Sequence, residues 1–328
     1  MSDGPSPGLP PGADRPAEPT PVPDPLSGGG TPAISVIVPS YNSRWTIPHT
    51  LESLRRQEGA PPFEVRVVDS SDDGTGDLLE KDFPDVDLHR MAGRTFQGRA
   101  RNLAARAARG GVLAFIDADC VADPHWVRRI GEAFADPAVQ AVGGVLTNAN
   151  PKNAVSRAMF VIQFHPYLLA GGRQAVGNLP ANNLAYRRDL FLQYGGFPES
   201  MGSSEETLLH NRFREDGVTL WFDPGIRVAH FNLDRWGVYL GHQAKQGRFY
   251  RIARFQADLP GSRALNSLLL TPLFPVYRFF RCLPALLREV KGPARRAATA
   301  FPLLAGLVAF SWGEVHGHLT RRRYPPPG

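Results

Sequence analysis

The sequence predicts an α/β fold built around a mainly parallel sheet. From residue 34 onward, short apolar runs alternate with helical stretches. Strands that are apolar along their whole length are typical of a parallel sheet with helices on both faces. Polar residues follow several of these runs, at the strand ends where such sheets bind ligands.

The predicted elements alternate regularly through the first half of the chain. Strands are predicted at 34–39 (ISVIVP), 63–69 (FEVRVVD), 86–89 and 112–116 (VLAFI), with helices near 45–57, 76–82 and 97–110 between them. A short strand is predicted at 226–229 and a helix at 234–256. The carboxyl ends of the first, second and fourth strands are therefore expected to meet at one rim of the sheet.

Three regions differ in composition. Residues 1–33 are rich in Pro and Gly and are predicted to form a disordered tail. Residues 34–258 are predicted to form the α/β domain, and residues 259–328 a hydrophobic and basic helical region. No basic start followed by an apolar stretch is present, which predicts a cytoplasmic location. Cys120 and Cys282 are far apart and predict neither a disulfide framework nor a metal knuckle.

Two acids follow the predicted strand 112–116. Asp117 and Asp119 are separated by one residue, and side chains at this spacing in an extended segment point to the same side. A divalent cation of the magnesium type, bound between these carboxylates and an anionic ligand, would offset their repulsion. The alternative is that they are solvated loop acids or a helix cap, because Asp123-Pro124 introduces a helix.

Six motifs, in order, resemble those of the family 2 glycosyltransferases, which are inverting enzymes with the GT-A fold. They are VIVPSYN (36–42), VVDSSDDGT (67–75), GRARNLAARAARG (98–110), FIDADC (115–120), GGF (195–197) and SEETLLHNR (204–212). The resemblance implies transfer of a sugar from a nucleoside diphosphate donor, UDP or GDP linked, to a hydroxyl acceptor. It also implies a divalent metal, Mg²⁺ or Mn²⁺, as cofactor.

The resemblance implies that Pro39, Tyr41 and Asn42 contact the nucleotide. The alternative is a turn that ends a strand, for which this sequence is well suited. Asp69 is implied as the acceptor for an N–H group of the base. Ser70 stands where the family usually has a second acid, which leaves the identity of the base open.

In the helix that follows, Arg101 and Asn102 are candidates to approach the diphosphate or the ribose. An exposed basic helix face is the alternative explanation for its arginines. Asp117 matches the family's first acid, near the ribose and the metal. Asp119 matches the second acid, which binds the metal, and His230 is implied as a further metal ligand.

The resemblance implies that Glu206 is the general base and that Glu205 is its neighbour near the acceptor. The family prefers Asp at the position of Glu206. The alternative is structural, because Ser203 and Glu206 form the S-x-x-E pattern of a capping box before an apolar helical run.

The segment 151–190 is implied to line the acceptor side. Candidate contacts to a sugar are His165, Tyr167, Asn182, Asn183 and, further along, Trp221. Ordinary core packing explains the aromatic residues equally well.

The C-terminal region predicts contact with a membrane. From Arg278 to the end there are nine Lys or Arg residues and two acids, Glu289 and Glu314, interleaved with apolar runs. These runs predict helices in the membrane interface or a tight hairpin, and a pair of buried helices is the alternative. The expected partners are a nucleotide sugar, a glycan or lipid-linked acceptor and the cytoplasmic membrane surface, with no nucleic acid.

Two other functions remain open at this level. A nucleotidyltransferase also uses an α/β sheet and paired Asp with magnesium, although VPSYNSRW lacks the Gly-rich loop typical of that class. A catalytically inactive membrane adaptor with the same fold is the second. A dinucleotide-binding oxidoreductase is disfavoured, because no G-x-G-x-x-G follows an early strand.

Overall fold

The computed structural model describes residues 31–257 and 267–321. The chain divides into two compact units. Among the described residues, the sheet unit contains 31–147, 172–196 and 218–229. The helical unit contains 148–171, 197–217, 230–257 and 267–321. Most of the tail predicted at 1–33 lies outside the described residues. The domain boundary predicted at residue 258 lies outside them too, and both remain predictions.

The strands and helices of the described residues have the following bounds. The strands are β1 (Ile34–Ser40), β2 (Phe63–Asp69), β3 (Asp87–Arg90), β4 (Val112–Ile116), β5 (Cys120–Ala122), β6 (Ala141–Asn148), β7 (Gln174–Val176), β8 (Asn183–Arg187) and β9 (Leu220–His230). The helices are α1 (Ile47–Arg55), α2 (Thr75–Asp82), α3 (Gln97–Ala107), α4 (Trp126–Phe134), α5 (Ala154–Leu168), α6 (Arg188–Gln193), α7 (Glu205–Glu215), α8 (Trp236–Gln256), α9 (Phe274–Glu289) and α10 (Pro293–Thr320).

The strands form one mixed sheet in the order β3-β2-β1-β4-β8-β6-β9-β5, with β7 paired to β9. The pairs β1–β2, β2–β3 and β1–β4 are parallel. The pairs β4–β8, β6–β8 and β7–β9 are antiparallel. The predicted α/β class is confirmed, and the parallel half is the part formed by the first four strands. The strand predicted at 226–229 is longer than expected and begins at Leu220.

The central strand β1 is buried along its whole length. Val36 and Val38 belong to the main apolar cluster of the sheet unit. Pro39 lacks a backbone N–H group and is expected only where a ladder bond is dispensable. Its place is compatible with a central strand because the pairing of β1 with β4 stops at Ile37. The strand therefore runs on past its β4 partner into the loop that holds the candidate site.

In the helical unit, α10 packs along α8 through glycine contacts. A Cβ atom at Gly313 would lie 1.9 Å from the carbonyl oxygen of Ala244, and one at Gly247 would lie 1.9 Å from that of Phe310. Both contacts are to backbone, which cannot rotate away as a side chain can. The two helices are therefore held at a separation that only glycine permits at these positions.

We expect Gly313→Ala to destabilise the protein by about 1–3 kcal/mol, because the added methyl group forces α8 and α10 apart. Gly241→Ala is the matched control, since Gly241 lies in α8 and a Cβ atom there would meet open space. This control should gain about 0.5–1 kcal/mol from helix propensity. Urea unfolding midpoints measure both changes, and equal stabilisation of the two variants would contradict the close packing.

Candidate functional site

The loops after β1 and β2 are joined through a buried carboxylate. Asp69, at the end of β2, is 2% exposed. Its Oδ1 atom accepts hydrogen bonds from the hydroxyl groups of Ser40 at 2.7 Å and Ser71 at 2.5 Å. The backbone N–H of Ser70 also donates to the carbonyl of Ser40. Both hydroxyls therefore donate to Oδ1. Oδ2 is the oxygen of this carboxylate that is the candidate to accept a hydrogen bond from a bound molecule.

Asn42 makes a second link between the same two loops. Its backbone N–H donates to Ser71 Oγ at 2.7 Å, and its side-chain Oδ1 accepts from the N–H of Asp72 at 3.0 Å. Asn42 adopts a positive φ of 52°, a conformation that Asn tolerates better than most residues. Asn42 therefore fixes the shape of the loop, and its amide Nδ2 is the group left to consider for a nucleotide.

Tyr41 is 37% exposed at the tip of the loop after β1. The guanidinium carbon of Arg94 lies 4.7 Å from the centre of the Tyr41 ring, within cation–π range. Pro39 is buried in β1, so any contribution from it concerns the path of the strand. Tyr41 is thus the more accessible of these two predicted nucleotide contacts, and Arg94 is a basic neighbour that the sequence patterns did not single out.

The acids after β4 lie in a turn rather than in an extended segment. β4 ends at Ile116, and the N–H of Cys120 donates to the carbonyl of Asp117 at 3.1 Å. The expected alternation of an extended strand is therefore wrong here. Asp117 and Asp119 are nevertheless both partly exposed, whereas Ala118 between them is buried. The turn, instead of the strand period, keeps the two carboxylates away from the core.

Asp117 is paired with a buried arginine. Arg101 Nη2 lies 2.5 Å from Asp117 Oδ1, and the Arg101 side chain is 1% exposed. An exposed basic face therefore does not account for Arg101, although Arg99 and Arg106 on the same helix are exposed. The pairing gives Arg101 a clear role, which is to hold Asp117 and offset its charge.

Asn102 is buried beside the GGF motif. Gly196 has a φ of +78°, and a Cβ atom there would lie 2.4 Å from Asn102 Oδ1. Both the backbone conformation and this close approach require glycine at position 196. Asn102 therefore contacts the chain after α6, and this packing accounts for its burial in α3.

Cys120, directly after the acidic turn, is a fully buried free thiol. Its Sγ donates weakly to Asp119 Oδ1 across 3.7 Å. Burial, together with the charges of Asp119 and Asp117, raises the pKa of the Cys120 thiol well above its ordinary value. The thiol is therefore neutral and contributes no further charge beside the acids.

In the helical unit, His230 is buried and oriented by an asparagine. Its Nδ1 atom lies 3.1 Å from Asn232 Oδ1, and Asn232 Nδ2 donates to Asn148 Oδ1 at 3.1 Å. Because the amide NH₂ of Asn232 faces Asn148, its oxygen faces His230, and Nδ1 must carry the proton. In the neutral form of the ring, this tautomer would have its lone pair on Nε2. Asn150 adds to the network by donating from Nδ2 to the carbonyl of Asn232 at 2.7 Å.

The sequence patterns did not single out Asn148 or Asn232. A signal was present, because Asn232 stands two residues after the candidate ligand His230 and the run Asn148-Ala149-Asn150 contains two amides. Side chains that hold the second ring nitrogen of a histidine ligand are typical of metal sites. Such an interpretation still requires the two segments to meet, which only the fold reveals.

The candidate general base lies at the start of α7. Glu205 is 2% exposed and Glu206 is half-buried. The capping box expected as the alternative does not form. The N-cap is Ser204, in a left-handed conformation and without a side-chain cap hydrogen bond. The hydroxyl of Ser203 is buried and has no hydrogen-bond partner among the described residues. The S-x-x-E pattern therefore leaves the catalytic interpretation of Glu206 in place.

Asn183, predicted as a possible sugar contact, is a structural residue of the sheet unit. It is fully buried, and its Oδ1 accepts from the Trp126 indole N–H at 2.9 Å. Its Nδ2 donates to the carbonyls of Val145 at 2.9 Å and Ile226 at 3.1 Å. These bonds use its hydrogen-bonding capacity inside the sheet, so that prediction is wrong.

The chain matches a known family over much of the sheet unit. Residues 35–195 match the glycosyl transferase family 2. The match includes the loops after β1 and β2, the acidic turn and the buried Arg101–Asp117 pair. The resemblance inferred from the six motifs is therefore confirmed by a family match over this segment.

Several relatives of known name support the same class. The glucosyl-dolichyl phosphate glucuronosyltransferase of Haloferax volcanii is 28% identical over 210 residues, which cover 60% of this chain and 66% of the relative. The pre-mycofactocin glycosyltransferase of Mycobacterium tuberculosis is 27% identical and covers 63% of this chain and 44% of the relative. The chain thus spans at most about two thirds of either relative. Their names support the prediction of a glycosyltransferase enzyme.

Solved structures show the fold. The mannosyltransferase PcManGT from Pyrobaculum calidifontis, determined with GDP-Man and Mn²⁺, has a TM-score of 0.53 at 20% identity and covers 92% of this chain and 76% of that protein. A fragment of S. aureus TarS with UDP-GlcNAc has a TM-score of 0.52 at 18% identity and covers 89% and 92%. The expected GT-A fold is confirmed.

Two buried histidines make the stability of the helical unit depend on pH. Burial lowers the pKa of His210, in α7, from 6.5 to about 3. Burial and the nearby Lys245 and His230 lower the pKa of His242, in α8, to about 3 as well. The unfolded chain binds protons at these sites below pH 6.5 while the folded chain does not. The stabilising contribution is therefore complete above pH 6.5 and is lost as pH falls toward 3.

We expect the free energy of unfolding to fall more steeply with pH in the wild type than in His210→Gln between pH 6.5 and pH 4. The difference in slope should be about 1.4 kcal/mol per pH unit, the value for one proton. Urea unfolding at several pH values measures it. Comparing the two slopes cancels the contribution of the carboxylates, which both proteins share. Identical slopes would show that folding does not keep His210 neutral.

Proposed function

We propose that this protein is a metal-dependent, inverting glycosyltransferase that moves a sugar from a UDP- or GDP-linked donor to a hydroxyl acceptor. The observation that carries the proposal is the acidic turn after β4, in which Arg101 pairs with Asp117 at the start of the turn that contains Asp119. The family match over the same segment supports it.

In this proposal the nucleotide binds the joined loops after β1 and β2. Tyr41 offers an accessible ring, and Asn42 offers the Nδ2 donor of its amide. Asp69 would accept an N–H bond from the base through Oδ2, because the hydroxyls of Ser40 and Ser71 occupy Oδ1. Asp117 would stand near the ribose. Arg101 and Asn102 would act through neighbouring residues, since both are buried.

We propose Asp119 and His230 as ligands of a divalent cation, Mg²⁺ or Mn²⁺. The donor set fits Mn²⁺ better than Mg²⁺, because a first-row transition ion binds both carboxylate oxygen and imidazole nitrogen, whereas Mg²⁺ prefers oxygen ligands. The proton on His230 Nδ1 leaves Nε2 as the metal-binding nitrogen, with Asn232 as the residue that fixes this tautomer. When bound, the cation neutralises charge on the departing diphosphate.

Glu206 would take the proton of the acceptor hydroxyl in the same step. The acceptor oxygen forms its bond to the anomeric carbon, and the bond from that carbon to the diphosphate oxygen breaks. The diphosphate leaves with the electron pair, so the configuration at the anomeric carbon inverts. Glu205, buried beside Glu206, would lie near the acceptor.

We further propose a lipid-linked or membrane-proximal acceptor. One relative is named as acting on a dolichyl phosphate sugar. In the described residues one helix, Pro293–Thr320, is by length and composition apolar enough to cross a membrane. Attachment to the cytoplasmic membrane would bring the enzyme to such an acceptor.

Binding of UDP and GDP tests the metal site. We expect tight binding by the wild type only with Mn²⁺ or Mg²⁺, and loss of this metal dependence in Asp119→Ala. Asp136→Ala is the control, because Asp136 is an exposed acid of the same unit whose Oδ1 accepts from the N–H of Ala138. Isothermal titration with and without the cation gives the result. Metal-dependent binding that survives in Asp119→Ala would refute the assignment.

Sugar transfer activity tests the assignment of Glu206 as the general base. In a screen of nucleotide sugars, Glu206→Gln should lower kcat by about 10²–10⁴-fold while nucleotide affinity stays unchanged. Glu215→Gln, in an exposed position at the end of the same helix, should keep wild-type turnover. A wild-type protein that binds nucleotide but neither transfers nor hydrolyses any donor would instead favour the inactive adaptor.

A further inference from the structure

The helix α10 has two contrasting sides within the helical unit. One side is buried and includes Leu303, Gly306, Leu307 and Glu314. The opposite side exposes large apolar residues at helical spacing. These are Phe301 (70% exposed), Leu304, Val308, Trp312 (72%) and Leu319 (70%). Residues at this spacing form one stripe along a helix, so α10 presents a continuous apolar stripe after its other side is packed.

The preceding helix α9 has the same organisation. Its exposed apolar residues, counting the one just before it, are Leu273, Val276, Tyr277, Phe280 and Leu287. They again fall on one side of the helix, whereas Cys282, Ala285 and Leu286 are buried on the other. Both helices therefore expose stripes that a protein in water alone has no reason to keep apolar. We call the two stripes together the α9–α10 apolar surface.

A buried ion pair fixes which side of each helix is packed. Arg278 of α9 bonds Glu314 of α10 through two contacts of 2.7 Å, and Glu314 is fully buried. The Arg278 guanidinium also lies 4.7 Å from the centre of the Phe310 ring. Arg278 and Glu314 lie on the sides of their helices opposite the stripes. Rotation of either helix to bury its stripe would break this ion pair. The apolar stripes therefore stay exposed in the folded helical unit.

The packing argues against α10 as a spanning helix. In its most apolar window 44% of the residues are buried inside the protein. Its main partner is α8, which is held against it by the contacts at Gly247 and Gly313. α8 carries Lys245, Arg248, Arg251 and Arg254. Spanning would bring these charges into the hydrocarbon layer with α10, which is costly. A helix lying in the plane of the interface avoids that cost.

The charges near the surface indicate the chemistry of the partner. Exposed cations lie along α9, in the turn after it and at the start of α10. They are Arg281, Arg288, Lys291 and Arg295, and the exposed acid among them in the described residues is Glu289. Cations beside an apolar stripe are typical of helices that lie on anionic lipids. A symmetric contact with a second copy of the chain would instead bring like charges together.

We propose that the α9–α10 apolar surface docks the protein in the plane of an anionic lipid bilayer, with Phe280 and Trp312 inserted among the acyl chains and the basic residues at the headgroups. This deepens the membrane-proximal part of the proposed function and rests on it. Docking does not depend on which residues are catalytic. The attachment is peripheral, and lipid covers the α9–α10 apolar surface.

Vesicle binding by the full chain tests the proposal. We expect the wild type to cosediment with vesicles of phosphatidylcholine and phosphatidylglycerol and to bind phosphatidylcholine alone much more weakly. Phe280→Ser combined with Trp312→Ser should weaken binding by about tenfold or more, because two large inserted side chains are lost. Lys291→Glu combined with Arg295→Glu should remove the preference for the anionic lipid. Trp45→Ser is the control, since Trp45 is 59% exposed in the sheet unit.

Quenching by brominated lipids measures the depth of insertion. Wild-type fluorescence should be quenched more by bromine near the headgroup end of the acyl chain than by bromine near the bilayer centre, and the difference should disappear in Trp312→Ser. Quenching strongest at the centre, with resistance to alkaline extraction, would establish spanning and overturn the proposal. Unchanged vesicle binding by the Phe280/Trp312 variant would also overturn it.

Two outcomes separate this inference from the proposed function. A wild-type dimer that the Phe280/Trp312 substitutions convert to a monomer would show that a second copy covers the surface, and would overturn the lipid assignment. If metal-dependent nucleotide binding is present without vesicle binding, docking is wrong and the enzyme assignment stands. If vesicle binding is present in a protein with no transferase activity, docking stands and the catalytic proposal fails.

Discussion

The sheet unit depends on the balance of charge at the end of β4. A strand buried on both faces runs directly into two carboxylates, and the first of them, Asp117, is bonded by the buried guanidinium of Arg101. Removal of Asp117 would take this carboxylate away from the buried guanidinium of Arg101, which is destabilising. The pair therefore fixes α3 against the end of β4 and holds the acidic turn in one place. A turn so held is suited to a ligand that needs carboxylates in defined positions.

Hydrogen bonds hold the loops at the neighbouring strand ends. Asp69 receives two hydroxyl bonds, and Asn42 joins the loop after β1 to the loop after β2. Because each loop satisfies the polar groups of the other, neither can change shape alone. In the helical unit, the Arg278–Glu314 pair and the glycine contacts have a comparable effect. They fix which sides of α9 and α10 are packed and which remain exposed.

The sequence predicted much of the fold, and it expected Asp69 and Asp117 at the strand ends where the structure has them. Period and composition located the early strands closely, because a strand buried on both faces must be apolar throughout. Details of the site that depend on residues distant in the chain were harder to predict. The acids of the turn were expected on an extended segment. Asn183 was expected to contact a sugar, yet it bonds the Trp126 indole and two strand carbonyls inside the sheet. Neither error was visible locally, since an asparagine does not reveal which groups surround it.

By itself the sequence determined the class of fold, the family and the residue types available for chemistry, because these follow from local pattern and from the order of short motifs. The tertiary structure decided how those residues are used. It buried Arg101 against Asp117, set the tautomer of His230 through Asn232, and left the S-x-x-E pattern without its capping box. Each of these depends on which groups approach from distant parts of the chain. Burial and hydrogen bonding between such groups are properties of the folded chain and are not encoded in any single stretch of residues.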